Sequence, residues 1–298
     1  MSKEPSFSRW SRRAFGVLLA SVCCIPLLGA APASAAPAVT VSVSVAPLKF
    51  IVERIGGPRV RAGVIVPQAE QPDQYIPPME RLQAVGRTKL LITAGTGFEV
   101  RWAAKIQDMH PGLRVVRAAA GFPVPPVIEH PVTGELYLPR AYPWLSPDGA
   151  VALAVAIRDA LTAVDPAGAK QYAARFERFK GETKRLDDKI RRILSRAGNR
   201  RFFLCGRPVW RVFADAYGLT PVPADISGDA GATAKRLAAL RVFAKGKGIS
   251  SIFVEPQYPS AAAGDVVDGG TLISANALAY TWDNNLIRLA GMFAAAVR

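Results

Sequence analysis

Residues 165–198 read DPAGAKQYAARFERFKGETKRLDDKIRRILSRAG, and the reading of this stretch decides the fold. Its seam falls at Tyr172, Phe176, Phe179, Thr183, Leu186, Ile190 and Ile193, with gaps of 4, 3, 4, 3, 4 and 3 residues. That spacing predicts one continuous helix and excludes a strand, whose side chains alternate every second residue. Lys, Arg, Asp and Glu crowd the remaining faces. Asp165 is a candidate N-cap with Pro166 at the first helical position, and Gly198 followed by Asn199 supplies a stop. At 1.5 Å per residue this is a rod of roughly 45 Å, longer than a small domain is wide. A seam of about two and a half heptads fits half of a coiled coil or a strut between two globular parts. The globular patterning on either side favours the strut.

Upstream of the rod, Val39, Val41, Val43 and Val45 alternate as a strand, and PLKFIVERIGG follows as a helix closed by Gly56 and Gly57. The strand RVRAGVIVP leads into QAEQPDQYIPP, a loop dense in turn formers. The pattern continues through the helix PMERLQAVGR, the strand KLLITAG, the helix FEVRWAAKIQDMHPG and the strand LRVVRAA. Strands and helices thus alternate, which predicts a parallel sheet covered by helices. Residues 119–147 are Pro-rich and irregular, and a helix over 148–164 precedes the rod.

Downstream the rhythm returns. The segment RRFFLCG is a strand, PVWRVFADAYG a helix, LTPVPADIS an extended run and ATAKRLAALRVFAKGKG a helix. Then come the strand ISSIFVEPQ, a short helix in YPSAAAGDVVDGG, a strand or loop in TLISANALA, and a closing helix NNLIRLAGMFAAAVR. The predicted fold class is therefore α/β. Two lobes, over 37–164 and 199–298, each hold a parallel sheet of about four strands flanked by helices, and one long helix over 165–198 links them. Ligands of open parallel sheets settle at the carboxyl ends of the strands, so a cleft between the lobes should be lined by the loops after each strand.

A chain of 298 residues, half of them hydrophobic, is long enough for two such cores. Its 38 Lys and Arg against 23 Asp and Glu leave a formal charge of +15, but the basic residues are spread along helices without interleaved aromatics. A solvated basic surface is expected rather than a nucleic-acid partner. Residues 1–36 carry Arg12 and Arg13 before Phe15, an apolar run from Val17 to Leu28, and Ala33-Ser34-Ala35. They read as a cleavable export signal of the twin-arginine kind, cut near Ala35, which places the mature chain in the periplasm. Cys23 and Cys24 lie inside that signal, so Cys205, in an apolar strand, is the single thiol left and is expected to be buried and inert.

Several chemistries are missing. There is no GxGxxG, no GxxxxGK[ST], no GxSxG elbow, no CxxC and no HExxH, and the only histidines are His110 and His130. Glu70 and Asp73 share a loop, but two acids in a turn-rich loop are ordinarily solvated. No enzyme is expected, and no cofactor. His110, before Pro111 at a helix end, is read as a cap on the last carbonyls, and His130 as a surface residue.

Five segments, in order, carry a resemblance: APLKFIV at 46–52, QPDQY at 71–75, WLSP at 144–147, DAYGLTP at 215–221 and FVEPQ at 253–257. Together they resemble the periplasmic zinc- and manganese-binding proteins that feed bacterial ABC importers, whose lobes are joined by one rigid helix. The resemblance covers essentially all of the mature chain. It implies a monomeric solute-binding protein that captures cargo between its lobes and docks on an inner-membrane ABC permease. It also implies four ligand positions in the cleft, which fall here on Asp73, Tyr142, Arg207 and Asn276 and depart from the family's three histidines and one carboxylate. An Arg has no lone pair to give a metal, so the inherited cage is expected to be lost. Zinc or manganese then stays only a candidate cargo. Two readings of the altered cleft remain: a binder of an anion, a carboxylate or a metal chelate, or an accessory subunit whose Arg207–Asp73 pair glues the lobes shut.

Overall fold

The computed structural model describes residues 39–123, 125–197, 201–224, 230–258 and 261–296. The export signal read over 1–36 and the helix stop at 198–199 lie outside them. The first lobe runs β1 (Val39–Val43), α1 (Ala46–Gly56), β2 (Val60–Val64), α2 (Met79–Gly86), β3 (Leu90–Thr93), α3 (Gly97–Met109) and β4 (Arg114–Arg117). The Pro-rich stretch that followed as irregular in the sequence holds a small antiparallel hairpin, β5 (Ile128–Glu129) with β6 (Leu136–Tyr137). Then come α4 (Pro147–Val164) and the rod, α5 (Ala169–Leu194). The second lobe runs β7 (Phe202–Cys205), α6 (Arg211–Tyr217), β8 (Thr220–Pro223), α7 (Ala230–Lys247), β9 (Ser251–Val254), α8 (Ala261–Val266), β10 (Thr271–Ser274) and α9 (Trp282–Ala296).

Both four-stranded sheets are parallel throughout. Their orders, β2-β1-β3-β4 and β10-β9-β7-β8, are the same topology: counted from its own first strand, each sheet runs 2-1-3-4 or its reverse. β8 tolerates Pro221 and Pro223 because it lies at a sheet edge, where a missing N–H leaves no ladder bond unmade. The order reverses between β1 and β3 in one lobe and between β7 and β9 in the other. In open parallel sheets ligands bind at such switch points, beyond the carboxyl ends of the strands.

α5 is continuous for 26 residues, about 39 Å at 1.5 Å per residue. Its buried seam is Tyr172, Phe176, Phe179, Thr183, Leu186, Ile190 and Leu194; Ile193, expected on it, is only partly buried, because the last step of the seam is four residues instead of three. The N-terminus also differs from expectation. Pro166 opens a short 3-10 turn, and the Asp165 carboxylate does not cap it. Instead Asp165 takes both Nε and Nη2 of Arg59 at 2.8 Å and the Tyr172 hydroxyl at 2.6 Å, tying the rod's start to the 3-10 turn Gly57–Arg59 between α1 and β2. The rod packs against α1, α4 and α9. One buried cluster therefore runs from the first sheet (Val41, Leu91, Ile92) through α5 to Phe203, Phe213, Phe253 and Phe293 of the second lobe. A second, smaller cluster, with Leu204, Val222, Leu240 and Ile252, lies under α7 and α8.

Gly181 sits in mid-rod, and a Cβ there would meet nothing nearer than Arg185 Nη1 at 3.8 Å. Gly181→Ala removes backbone freedom from the unfolded chain at no steric cost, so it should stabilise the fold by about 0.5–1 kcal/mol, read as a raised Tm. A lowered Tm would mean that the rod bends at this glycine.

Candidate functional site in the inter-lobe seam

Loop 68–78, after β2, approaches the second lobe because its turn is folded back by Gln74 N–H and Tyr75 N–H donating to Gln71 O at 3.0 and 2.9 Å. Arg101 of α3 ties it down through the carbonyls of Pro72 and Tyr75. Gly97, the first residue of α3, makes room: a Cβ there would lie 2.2 Å from Asp73 Oδ1 and 3.1 Å from Asp73 Cα. Asp73 is thereby pressed across the seam while Glu70, its neighbour in the loop, is exposed.

On the other side Arg207 leaves the carboxyl end of β7 and donates from Nη2 to Asp73 Oδ2 at 2.7 Å. The guanidinium lies over the Tyr258 ring, 3.6 Å from its centroid. Asp73 Oδ2 also receives the Tyr258 hydroxyl at 3.4 Å and has Arg140 Nη2 at 3.4 Å. Glu255, at the carboxyl end of β9, is 3% exposed. Burial pushes its carboxyl up to about 7; the Arg207 charge pulls the other way and Asp73 adds to the rise. Tyr142 is 2% exposed and stacked on Trp144 at 4.7 Å. Burial first, then the charges of Glu255 and Asp73, hold its phenol well above the ordinary value, so it is neutral and offers a donor. Arg207 loses hydration on burial, yet Glu255, Tyr258 and the Asp73 hydrogen bond more than offset that and raise its pKa.

The seam continues through amides. Gln71 Nε2 donates to Gln257 O, and Gln257 Nε2 donates to Gln68 O, both at 2.7 Å, and to Asn276 Oδ1 at 2.9 Å. Asn276 Oδ1 also takes Leu278 N–H at 2.8 Å. The structure thus gathers three of the four sequence-derived positions, Asp73, Tyr142 and Arg207, into one cluster. Asn276 joins that cluster only through Gln257, with its side-chain carbonyl already taken. Glu255 and Tyr258 were not singled out as site residues. The signal for Glu255 was present, a carboxylate directly after the apolar strand SIFV, whereas nothing in the sequence placed Tyr258 over Arg207.

Several buried side-chain atoms here have no hydrogen-bond partner: Gln71 Oε1, Asp73 Oδ1, Arg207 Nη1, Glu255 Oε2 and Gln257 Oε1. Buried polar atoms are normally satisfied by protein, water or ligand, so their concentration at one seam marks unmet hydrogen-bonding capacity that water or a polar ligand would complete. Among the described residues no group of three or more His, Cys, Asp or Glu could hold a metal ion.

One of the two histidines lies where the sequence reading put it: His110 closes α3, whereas His130 is not at the surface. His130 is 1% exposed rather than at the surface: its Nδ1 accepts from Val132 N–H and Thr133 N–H, and Nε2 faces Pro223 O at 2.8 Å. Burial lowers its pKa, which keeps the ring neutral as a clamp between the β5–β6 hairpin and β8. His110 caps α3 with its backbone N–H, but its ring turns to Leu82 O of α2 at 3.0 Å. Cys205 is buried and free, and burial lifts its thiol well above the usual range.

The family description "ZnuA: Zinc-uptake complex component A periplasmic" matches residues 41–279. No curated protein sequence matches the chain significantly. Among solved structures, a zinc-bound deletion mutant of ZnuA is 28% identical with a TM-score of 0.78, covering 87% of this chain and 98% of its own. A second ZnuA structure is 27% identical with the same TM-score, covering 88% and 100%. The laminin-binding protein Lmb of Streptococcus agalactiae, described as a bifunctional adhesin and metal transporter, shares the fold at 17% identity and a TM-score of 0.73, covering 88% and 100%.

Proposed function

Because the chain belongs to the ZnuA family of periplasmic zinc-uptake components, we propose that it is the exported solute-binding subunit of an ABC importer of the metal-ion class, with an inter-lobe site that does not take a bare divalent ion. Members of this family are transport components, not enzymes. On this reading residues 1–36 direct export and are removed. Residues 37–164 and 199–298 are the lobes, 165–198 is the strut, and the lobes deliver cargo by docking as a monomer on a membrane permease. A continuous helix resists bending because a bend breaks its hydrogen-bond ladder, so capture involves local rearrangement of the seam loops rather than wide closure.

The observation behind the altered site is the Arg207–Asp73 ion pair at 2.7 Å, across the seam. A fixed guanidinium is itself the cation of this cleft. A unit positive charge about 4 Å away costs about 4 kcal/mol at an effective dielectric of about 20, and a dication about twice that. The donors left are poor: Asp73 is already engaged, Glu255 keeps its proton up to about pH 7, Tyr142 is a neutral phenol, and Asn276 is saturated. Zinc as cargo does not fit these side chains as a bare ion.

Metal analysis of the purified protein, with calorimetric titration of zinc and manganese before and after EDTA, is expected to show no stoichiometric metal and no tight binding. One tightly held zinc per chain, released by EDTA with a fall in Tm, would sink the reading. Arg207 Nη1, buried and unpartnered, favours a second reading, in which the seam accepts a small oxyanion or a negatively charged metal chelate. A thermal shift with phosphate or citrate that disappears in Arg207→Ala would select it over a closed, ligand-free seam.

A further inference from the structure

The rod carries a second periodic row besides its buried seam. Arg178, Arg185, Lys189, Arg192 and Arg196 are spaced 7, 4, 3 and 4 residues apart, and all five are exposed. At 100° per residue the first four fall within about 60° of one another around the helix axis, in a stripe about 21 Å long, and Arg196 follows in the 3-10 turn Ser195–Ala197 that continues α5. No ion pair joins any of the five to a carboxylate of the described residues. On the opposite flank Lys184 pairs with Asp188 and Arg191 with Asp187. Glu182, the acid nearest the stripe in angle, is taken by Arg54 of α1. Pairing therefore neutralises one flank of the rod and leaves the other bare.

Beside the bare stripe a recess of about 220 Å³ opens between α1, α5 and α9. Phe50, Phe179, Trp282 and Ile287 form its apolar wall; Arg185 and Lys189 also line it, against two carboxylates, Asp283 and the Arg54-paired Glu182. Cations beside aromatic and aliphatic carbon match an amphiphile with an anionic head and an apolar body. A polynucleotide would ask for aromatics exposed among the cations, available for base stacking, but these aromatics lie mostly in the recess floor.

We propose that this face of the rod seats on an anionic phospholipid surface, with lipid phosphates along the stripe and the glycerol and first methylenes of one lipid against the recess. A row of Lys and Arg facing an anionic bilayer gains from every charge it brings within a Debye length, and the gain is screened by salt. Among the described residues no helix is long and apolar enough to cross a membrane, so the contact is one of a protein lying on the surface.

The test is co-flotation of the purified protein with vesicles of about 30% phosphatidylglycerol in phosphatidylcholine and with pure phosphatidylcholine vesicles. Binding is expected to the anionic vesicles only, falling at least tenfold between about 50 mM and about 300 mM salt. The triple variant Arg185→Glu, Lys189→Glu, Arg192→Glu should lose at least tenfold. The control Arg61→Glu, Arg114→Glu, Arg117→Glu changes net charge equally at exposed positions of the first sheet and should keep most of the binding. Thermal melts of both variants confirm folding. Equal loss in the two variants would reduce the effect to net charge and overturn the proposal. So would binding to neutral vesicles, or tighter binding to a DNA duplex than to the anionic vesicles at the same salt.

Discussion

Arg207→Met is expected to destabilise the folded protein by about 3 kcal/mol at pH 7, because truncating one partner of a buried ion pair strands the other charge. The Arg207 and Asp73 side chains are 16% and 15% exposed, so neither is rescued by bulk water. Loss of Arg207 leaves the carboxyls of Asp73 and Glu255 facing one another, with only Arg140, itself 46% exposed, near Asp73. The reciprocal change has a smaller effect. In Asp73→Asn the guanidinium still faces Glu255, whose carboxyl can ionise in its place, and a loss of about 1 kcal/mol is expected. Replacing both residues with apolar groups, Asp73→Leu with Arg207→Met, should recover most of the stability, since the desolvation cost of both charges goes with them. Arg140→Met, at the exposed margin, should stay within about 0.5 kcal/mol. Urea unfolding of the four variants reads the set. An Arg207→Met protein as stable as the parent would mean that the seam is open to water and holds no buried pair.

The second large effect is a pH dependence set by Glu255. Its carboxyl sits at about 7 in the fold against an ordinary 4.5, because burial disfavours the charge. The groups facing it are Arg207, Asp73, Tyr142, Tyr258 and Cys205. A raised carboxyl binds its proton more tightly in the folded than in the unfolded chain, so its contribution is fully present below about pH 4.5 and fades as pH climbs to about 7. Above that it costs nothing further. The gap corresponds to about 3 kcal/mol at most. Glu255→Gln keeps the shape and removes the ionisation. The variant should equal or exceed the parent's stability above pH 7, and the parent's decline between about pH 5 and 7 should flatten. Denaturation curves at pH 5, 6, 7 and 8 measure both; a parallel decline in the two proteins would place the titration elsewhere.

These two residues also divide what was legible from what was not. Arg207 was found by counting along the chain, and its pairing with Asp73 followed from opposite charge at positions expected to face one cleft. Glu255 stood in plain view at the end of a strand. Its meaning depended on which loop of the other lobe came to lie over it, and no local pattern encodes that. The reading of His130 failed for the same reason: it looked like a surface residue until the β5–β6 hairpin folded its ring against β8.

By itself the sequence determined the elements with strong periods. The 3–4 spacing makes α5 a helix wherever it is placed, the alternation of strands and helices makes both sheets parallel, and the guanidinium of Arg207 has no lone pair for a metal in any fold. Those properties are local, set by side-chain period, turn chemistry and lone pairs. The tertiary structure decided the rest: that Asp165 serves Arg59 instead of capping, that Tyr258 lies over Arg207, that Glu255 is dry enough to hold a proton near neutrality. Each of these arises from contact between segments about fifty or more residues apart in the chain, and desolvation is a property of the assembled surroundings, not of the residue.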